Sequence, residues 1–272
     1  MYTPTWRRGM LLLAVLLVPL TSQAALISRL SGQAYYDTVL DITWLADANL
    51  AATNQFGLTQ SAGFPVAGQV GSTGVMNWDT ANLWIDGMNA ASYLGFDDWR
   101  LPGLSPVSGG AAFDAASFST NGTTDLGYGA TGVGWETLAG DIVSEMGWMY
   151  YGNLGNLGFC PPDGGDGDPS TCDGAPPPGW GLVNTAPFSN VQLSYWSGVE
   201  FDASGAWAFG FGNGLQGRSV KNFGPFAWAV RSGDVETATQ VPEPGTMLLL
   251  GVGLMGLAGG RWRARRAGAS AL

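Results

Sequence analysis

Two short apolar segments flanked by arginines stand at opposite ends of this 272-residue chain and limit the part that can fold as a globular domain. Near the N-terminus, Arg7-Arg8 precede an apolar run from Met10 to Leu20. Ser22-Gln23-Ala24 come after this run. This layout is typical of a secretory signal peptide, which signal peptidase removes. We therefore predict a signal peptide over residues 1–24, cleaved between Ala24 and Ala25. A buried first helix is the alternative.

The C-terminal segment combines three elements in order. Val241-Pro242-Glu243-Pro244-Gly245 leads into an apolar run from Met247 to Gly260, and an arginine-rich tail over 261–266 follows. The prolines make a stiff, non-helical element, the apolar run partitions into the bilayer, and the arginines stay on the cytoplasmic side. The run has fourteen residues, five of them glycine, whereas a stable spanning helix needs ~20 residues. Residues 247–260 are therefore expected to contact the membrane transiently.

This order resembles the PEP-CTERM sorting signal, which would span residues 241–266 with Pro242, Glu243 and Pro244 as its motif. The resemblance implies that an exosortase, a membrane protease-transpeptidase, cuts at this motif and releases the protein outward. A C-terminal membrane anchor that is never cut is the alternative. The two signals predict export across the inner membrane of a Gram-negative-type cell, to the cell envelope, the extracellular matrix or the medium.

The segment between the signals, residues 25–240, is strongly acidic. It holds five basic and twenty acidic residues, a net charge of −15. Such a surface repels phosphate backbones, so nucleic acid is excluded as a partner. The chain also has no histidine, which removes the usual zinc ligands, the Ser-His-Asp and Cys-His nucleophile systems and the commonest general base. We therefore expect a protein that is not an enzyme and needs no cofactor.

The abundance of Gly, Trp and Phe predicts short strands and long Gly-rich loops. We predict a helix starting at Asn77 and ending near Leu94, and a second over 137–149, because apolar residues recur there at helical spacing. One strand is expected near Tyr35 and the next is expected to carry Ile42 and Trp44. The sequence from Leu50 to Gly74 is interpreted as loop. A three-stranded antiparallel meander is predicted over 195–201, 206–211 and 226–231.

The only cysteines, Cys160 and Cys172, bracket a loop rich in Pro, Gly and Asp. In an exported protein these residues predict a disulfide. Asp163, Asp166 and Asp168 in this loop could bring oxygen ligands to calcium. A solvated acidic loop is the alternative, because the spacing does not match an EF-hand.

Four blocks between Tyr35 and Val235 resemble the Lcl-C-terminal-type domain, named after a collagen-like bacterial adhesin. They also resemble C-type-lectin-like and formylglycine-generating-enzyme-like folds. The resemblance implies an α+β domain over residues 25–240, with a twisted antiparallel sheet, about two helices and long loops. The blocks are Asp41–Asn49, Asp97–Pro102, Tyr195–Gly198 and Ala227–Gly233, and their framework residues are Trp44, Asp47, Asn49, Trp99, Arg100, Leu101, Pro102, Trp196, Ser197, Trp228 and Arg231.

Three kinds of side chain in this domain could form a site. Arg100 and Arg231 are expected to pair with framework carboxylates, with a ligand carboxylate as the alternative. Most tryptophans should be buried, and Trp180 is the best candidate for an exposed one on which a sugar could stack. The acidic residues would also allow a two-carboxylate hydrolase; they are Asp97, Asp98, Glu136, Asp141 and Glu145.

The expected function is an exported, non-catalytic adhesion or glycan-binding module of the cell envelope or matrix. Its expected partners are signal peptidase and exosortase during export, and an extracellular polysaccharide afterwards. Two other functions remain open: a carboxylate-based extracellular hydrolase, and a structural matrix component with no ligand.

Overall fold

The computed structural model describes residues 26–63, 66–129 and 142–235, where two main sheets, one small sheet and two helices form. The strands are β1 (Leu26–Arg29), β2 (Ala34–Asp37), β3 (Ile42–Leu45), β4 (Thr59–Ser61), β5 (Gln69–Gly71), β6 (Phe118–Ser119), β7 (Leu126–Tyr128), β8 (Tyr195–Glu200), β9 (Gly205–Gly210), β10 (Leu215–Val220) and β11 (Val230–Ser232); the helices are α1 (Trp78–Ala90) and α2 (Glu145–Gly147). Mixed sheets with two short helices agree with the expected α+β class.

The first sheet has the strand order β1-β2-β3-β11, with every pair antiparallel. Its central hairpin, β2 and β3, confirms the two strands predicted near Tyr35 and at Ile42 and Trp44. Asp37 ends β2, and its carboxylate accepts hydrogen bonds from the amides of Val39 and Leu40 at 2.9 and 3.1 Å. These bonds close the turn, so that Tyr35 lies opposite Trp44.

The second sheet has the order β6-β7-β10-β9-β8 and contains the meander. The first two strands of the predicted meander agree with β8 and β9. The predicted third strand over 226–231 is wrong, because β10 occupies that position beside β9. Residues 226–231 instead run from a bridge between Phe226 and Tyr195 to β11 in the first sheet.

The interpretation of residues 50–74 as loop is wrong in part. In this stretch β4 and β5 form a two-stranded parallel sheet, in which Gln60 lies opposite Val70. The strands are three residues each, and their sequences lack the apolar alternation by which a strand is predicted.

Helix α1 confirms the predicted start. The side chain of Asn77 accepts a hydrogen bond from the amide of Thr80, which satisfies one free donor of the first turn. The apolar residues Ala81, Trp84 and Met88 are fully buried on one face. The helix ends at Ala90, before the predicted end, and a separate turn over Tyr93–Gly95 follows.

The second predicted helix, over 137–149, has wrong bounds. Residues 142–144 are not helical, and α2 begins at Glu145, where the Ser144 hydroxyl accepts from the amide of Gly147. The helix continues as a wider π-helical turn over Trp148–Asn153. The part of the prediction before residue 142 lies outside the described residues.

Aromatic side chains form most of the core between the elements. Trp228 lies edge-on to Trp44 and to Phe188, with ring centroids 4.9 Å apart in both pairs. Edge-to-face packing of this kind adds stability beyond the area that the rings bury. The expectation that most tryptophans are buried is confirmed. Six of the described tryptophans are fully or almost fully buried: Trp44, Trp84, Trp99, Trp196, Trp207 and Trp228.

The two ends of the described chain meet at the first sheet. After β11 the backbone turns at Gly233, whose carbonyl accepts from the Thr43 hydroxyl and whose amide donates to the Asp41 carbonyl, both at 2.7 Å. Asp234 then accepts two hydrogen bonds of 2.7 Å from Arg29 at the end of β1. The last described residues are therefore tied to the first strand.

Candidate functional site

The framework blocks converge on the aromatic core, where their tryptophans are fixed by backbone acceptors. Trp228 donates from Nε1 to the Leu45 carbonyl at 2.8 Å, and Trp196 donates to the Met76 carbonyl at 2.9 Å. Trp99 donates to the Tyr93 carbonyl at 3.0 Å. The Nε1 of Trp44 has no partner among the described residues. These rings hold the sheets together and are too buried to contact a ligand.

Asp47 and Asn49 organise the loop that follows β3. The Asp47 carboxylate accepts from the Asn49 amide at 2.9 Å and from the Asn190 side chain at 3.0 Å. The side chain of Asn49 donates to the Thr73 carbonyl at 3.0 Å. Both residues therefore connect separate loops.

Arg100 is paired with Glu145, as its expected framework role requires. Its guanidinium donates to the two carboxylate oxygens at 2.8 and 2.7 Å. Leu101 and Pro102 beside it are buried, and the Pro102 carbonyl accepts from the amide of Gly198. The block from Trp99 to Pro102 is thereby joined to α2 and to β8, where the carbonyl of Ser197 accepts from Trp78 Nε1.

Arg231 is paired with Asp98, which confirms the same expectation. The two bonds measure 2.7 and 2.8 Å, and the guanidinium carbon lies 4.2 Å from the centroid of the Phe96 ring. The hydrogen bonds from Arg231 lower the pKa of Asp98 below its ordinary value. Both arginines therefore use their charge inside the framework.

The three described acids of the hydrolase alternative do not form a pair of free carboxylates. Asp98 and Glu145 are each held in an ion pair, and Asp97 is exposed. Glu136 and Asp141 lie outside the described residues. Asp86, which was not predicted, lines a cleft of about 480 Å³ with Arg100 and Glu145.

The cysteine loop has the predicted disulfide between Cys160 and Cys172, whose Cα atoms are 5.5 Å apart. Asp163, Asp166 and Asp168 each accept a hydrogen bond from an amide two residues further on. Over residues 26–63, 66–129 and 142–235 no group of three or more Asp, Glu, Cys or His residues is placed to hold a metal ion. The contacts in this loop therefore give calcium no support.

An open groove of about 470 Å³ lies over β9 and β10, and it is the strongest candidate for a ligand site. In the register of the two strands Gly217 lies opposite Ala208, and Leu215 lies opposite Gly210. Because side chains alternate between the faces of a strand, the fully buried Trp207 and Phe209 point to the other side. The floor of the groove is therefore made of Leu215 and three small residues, Ala208, Gly210 and Gly217, over which a flat ligand could approach the backbone closely.

Trp180 stands at the rim of this groove, and its side chain is 41% exposed, as the sequence predicted. Its ring lies edge-on to Phe159, with centroids 4.9 Å apart. The amide of Phe159 donates to the carbonyl of Asn213 in the turn between β9 and β10. The exposed indole is thus held in place relative to the floor.

Two further exposed apolar side chains line the groove and were missed by sequence reasoning. Leu193 is 67% exposed and Phe223 is 57% exposed. A Cβ on Gly212 would lie 3.3 Å from Leu193 Cδ2, so glycine leaves Leu193 its space. Both residues lie in loops whose place beside β10 depends on the strand that the sequence did not predict.

The fold is that of an α+β protein with buried framework blocks and an open groove over β9 and β10. A family model described as the PEP-CTERM protein-sorting motif matches residues 240–266, and this motif implies an exported protein that an exosortase processes at the cell envelope. No curated protein and no solved structure matches the chain. The comparisons therefore do not support a lectin-like fold.

The targeting segments themselves lie outside the described residues. These are the signal-peptide cleavage site at Ala24 and Ala25, the motif Pro242, Glu243 and Pro244, and the apolar run over 247–260. Within the residues that the structure describes, no helix is both long and apolar enough to cross a membrane.

Proposed function

We propose that this exported protein is a non-catalytic glycan-binding or adhesion module of the cell envelope or extracellular matrix. The observation that carries the proposal is Trp180, which is exposed yet held by Phe159 beside a floor made mostly of small residues. An apolar sugar face packs well on an indole ring, and a ring that is already fixed loses little freedom on binding.

The proposal includes the Lcl-C-terminal-type, lectin-like interpretation of residues 25–240. Its support is the convergence of the four blocks, since Val230 bridges Arg100 and pairs with Trp44, while Tyr195 bridges Phe226. Blocks far apart in the sequence thus form one framework. The groove lies beside this framework, where sequence changes in loops would alter the ligand without disturbing the core.

Polar groups in the groove suit a carbohydrate. Ser194, Asn213 and Ser219 supply hydroxyl and amide groups next to the apolar rim. Sites for small polar ligands combine an apolar lining with a few polar groups that fix orientation. The described lining contains no pair of carboxylates, so binding without turnover is expected.

The test is retention on soluble polysaccharides in affinity gels, with a matched pair of variants. Trp180→Ala should weaken binding about tenfold or more, because the stacking surface is lost. Val183→Ala is the control, since Val183 is 63% exposed in the same loop and is not part of the groove lining. Equal retention of Trp180→Ala and the wild type would overturn the proposal, and polysaccharide cleavage would favour the hydrolase.

A further inference from the structure

Almost every positive charge in the described chain is already neutralised. Arg29 pairs with Asp234, Arg100 with Glu145, Arg231 with Asp98 and Lys221 with Glu200, which leaves one basic side chain, Arg218, outside an ion pair among the described residues. The segment between the export signals still carries a net charge of −15. A negatively charged ligand would therefore approach through a repulsive field.

Arg218 contributes to the groove lining, but its charge lies elsewhere. In β10 it is opposite Trp207, which faces away from the groove. Its guanidinium carbon lies 4.7 Å from the centroid of the Phe201 ring, on the face of the sheet where Phe201 packs against Trp207. Among the described residues, the side chains that face the groove are consequently uncharged.

Neutral lining in so acidic a chain has a direct chemical consequence. No carboxylate of the described residues lines the groove, so a neutral sugar meets no buried charge there. A sugar carboxylate would lose part of its hydration without gaining a cationic partner, which costs free energy. Hydroxyl groups, in contrast, can exchange water for Ser194, Asn213 and Ser219.

We infer that the groove binds a neutral polysaccharide and discriminates against chains that carry carboxylates. This inference rests on the proposed function and adds the substrate class to it. The discrimination has two sources: a groove in which no described side chain directs a cation at the ligand, and the negative field around it.

The experiment compares two soluble forms of one glucan, hydroxyethyl cellulose and carboxymethyl cellulose, by affinity electrophoresis of the full exported protein. Retention by the neutral polymer should be at least about tenfold stronger at low salt. The difference should shrink at about 1 M salt, where the Debye length falls to about 3 Å and only the field term is removed.

Two variants make the test specific. Ser219→Lys places a cation in the groove and should raise retention by carboxymethyl cellulose several-fold, whereas retention by the neutral polymer should fall, because the Ser219 hydroxyl is lost. Arg218→Gln should change neither. Circular dichroism should show the wild-type spectrum for both variants.

The outcomes separate the inference from the proposed function. Equal or tighter retention by carboxymethyl cellulose, especially if Arg218→Gln removes it, would overturn neutral specificity and leave glycan binding standing. A wild type that binds neither cellulose polymer, and also fails to bind galactomannan and alginate, would overturn both neutral specificity and glycan binding.

Discussion

Glu145 accepts two hydrogen bonds from Arg100 and a third from the backbone amide of Gly103, so one carboxylate joins α2 to the loop that follows Trp99. The Glu145 side chain is only 17% exposed. A carboxylate so enclosed has exchanged water for these three donors, and its removal leaves them without an acceptor.

Glu145→Gln should therefore lower the free energy of unfolding by about 2 kcal/mol, since breaking a partly buried ion pair leaves an uncompensated charge. Urea denaturation followed by tryptophan fluorescence measures the change. Glu200→Gln is the matched control, because Glu200 pairs with Lys221 but is 51% exposed, and its loss should be below about 1 kcal/mol. Equal effects of the two substitutions would contradict the framework role of Arg100.

The disulfide should stabilise the folded chain measurably. Replacing Cys160 and Cys172 together by serine should cost about 2–3 kcal/mol, because the unfolded chain regains the freedom of the closed loop. Reduction of the wild type should produce the same loss in a denaturation curve. An unchanged curve would mean that the loop is held by the Thr120 hydroxyl, which donates to the Pro162 carbonyl at 3.0 Å.

Alkaline pH should destabilise the core through its buried tyrosines. Burial raises the pKa of Tyr150, Tyr151 and Tyr195 above the ordinary value. Because each folded pKa exceeds the unfolded value of about 10, this stability is complete below about pH 10 and is lost as the pH rises through the folded values. The loss is at most about 1.4 kcal/mol per pH unit for each tyrosine.

The unfolding free energy should therefore be flat from neutral pH to about pH 10 and then fall, with tyrosinate absorbance rising in the same range. Tyr151→Phe should make this fall less steep, at the cost of the hydrogen bond from its hydroxyl to the Gly214 carbonyl. Ionisation of Tyr150, Tyr151 and Tyr195 near pH 10 in the intact fold would disprove the explanation.

The sorting motif predicts a processed tail. Replacing Pro242, Glu243 and Pro244 by alanine should keep the protein in the inner membrane with its C-terminal tail attached. The wild type should lose this tail and appear outside the membrane. Intact mass and cell fractionation from the native host measure both. Ser270→Ala, beyond the arginines, is the control and should behave as wild type. A full-length tail in both proteins would indicate a simple anchor.

Local signals were enough to predict the elements that depend on them. The hairpin around Asp37 and the start of α1 at Asn77 follow from turn and capping residues whose bonds are formed within three positions. The exposure of Trp180 followed from its proline-rich loop. The ion pairs of Arg100 and Arg231 could be expected in kind, but their partners Glu145 and Asp98 could not be chosen from the sequence.

Elements that depend on tertiary contacts were not predictable. Strand β10 reads Leu215-Gln216-Gly217-Arg218-Ser219-Val220 and has no apolar alternation. Its one buried side chain is Gln216, which donates to the Asp125 carbonyl and accepts from the Ser144 hydroxyl. Such bonds replace the hydrophobic pattern and appear only when distant loops are in place. The groove could not be predicted for the same reason, since β10 forms half of its floor.

The bond between Arg29 and Asp234 has a mechanical consequence for a protein that is processed while attached by its tail. A pull on the chain after residue 235 acts first on two charge-assisted hydrogen bonds to β1 and only then on β11. The load thereby reaches the two outermost strands of one sheet in succession, first β1 and then β11. A tethered molecule under flow would thus resist peeling of its last strand.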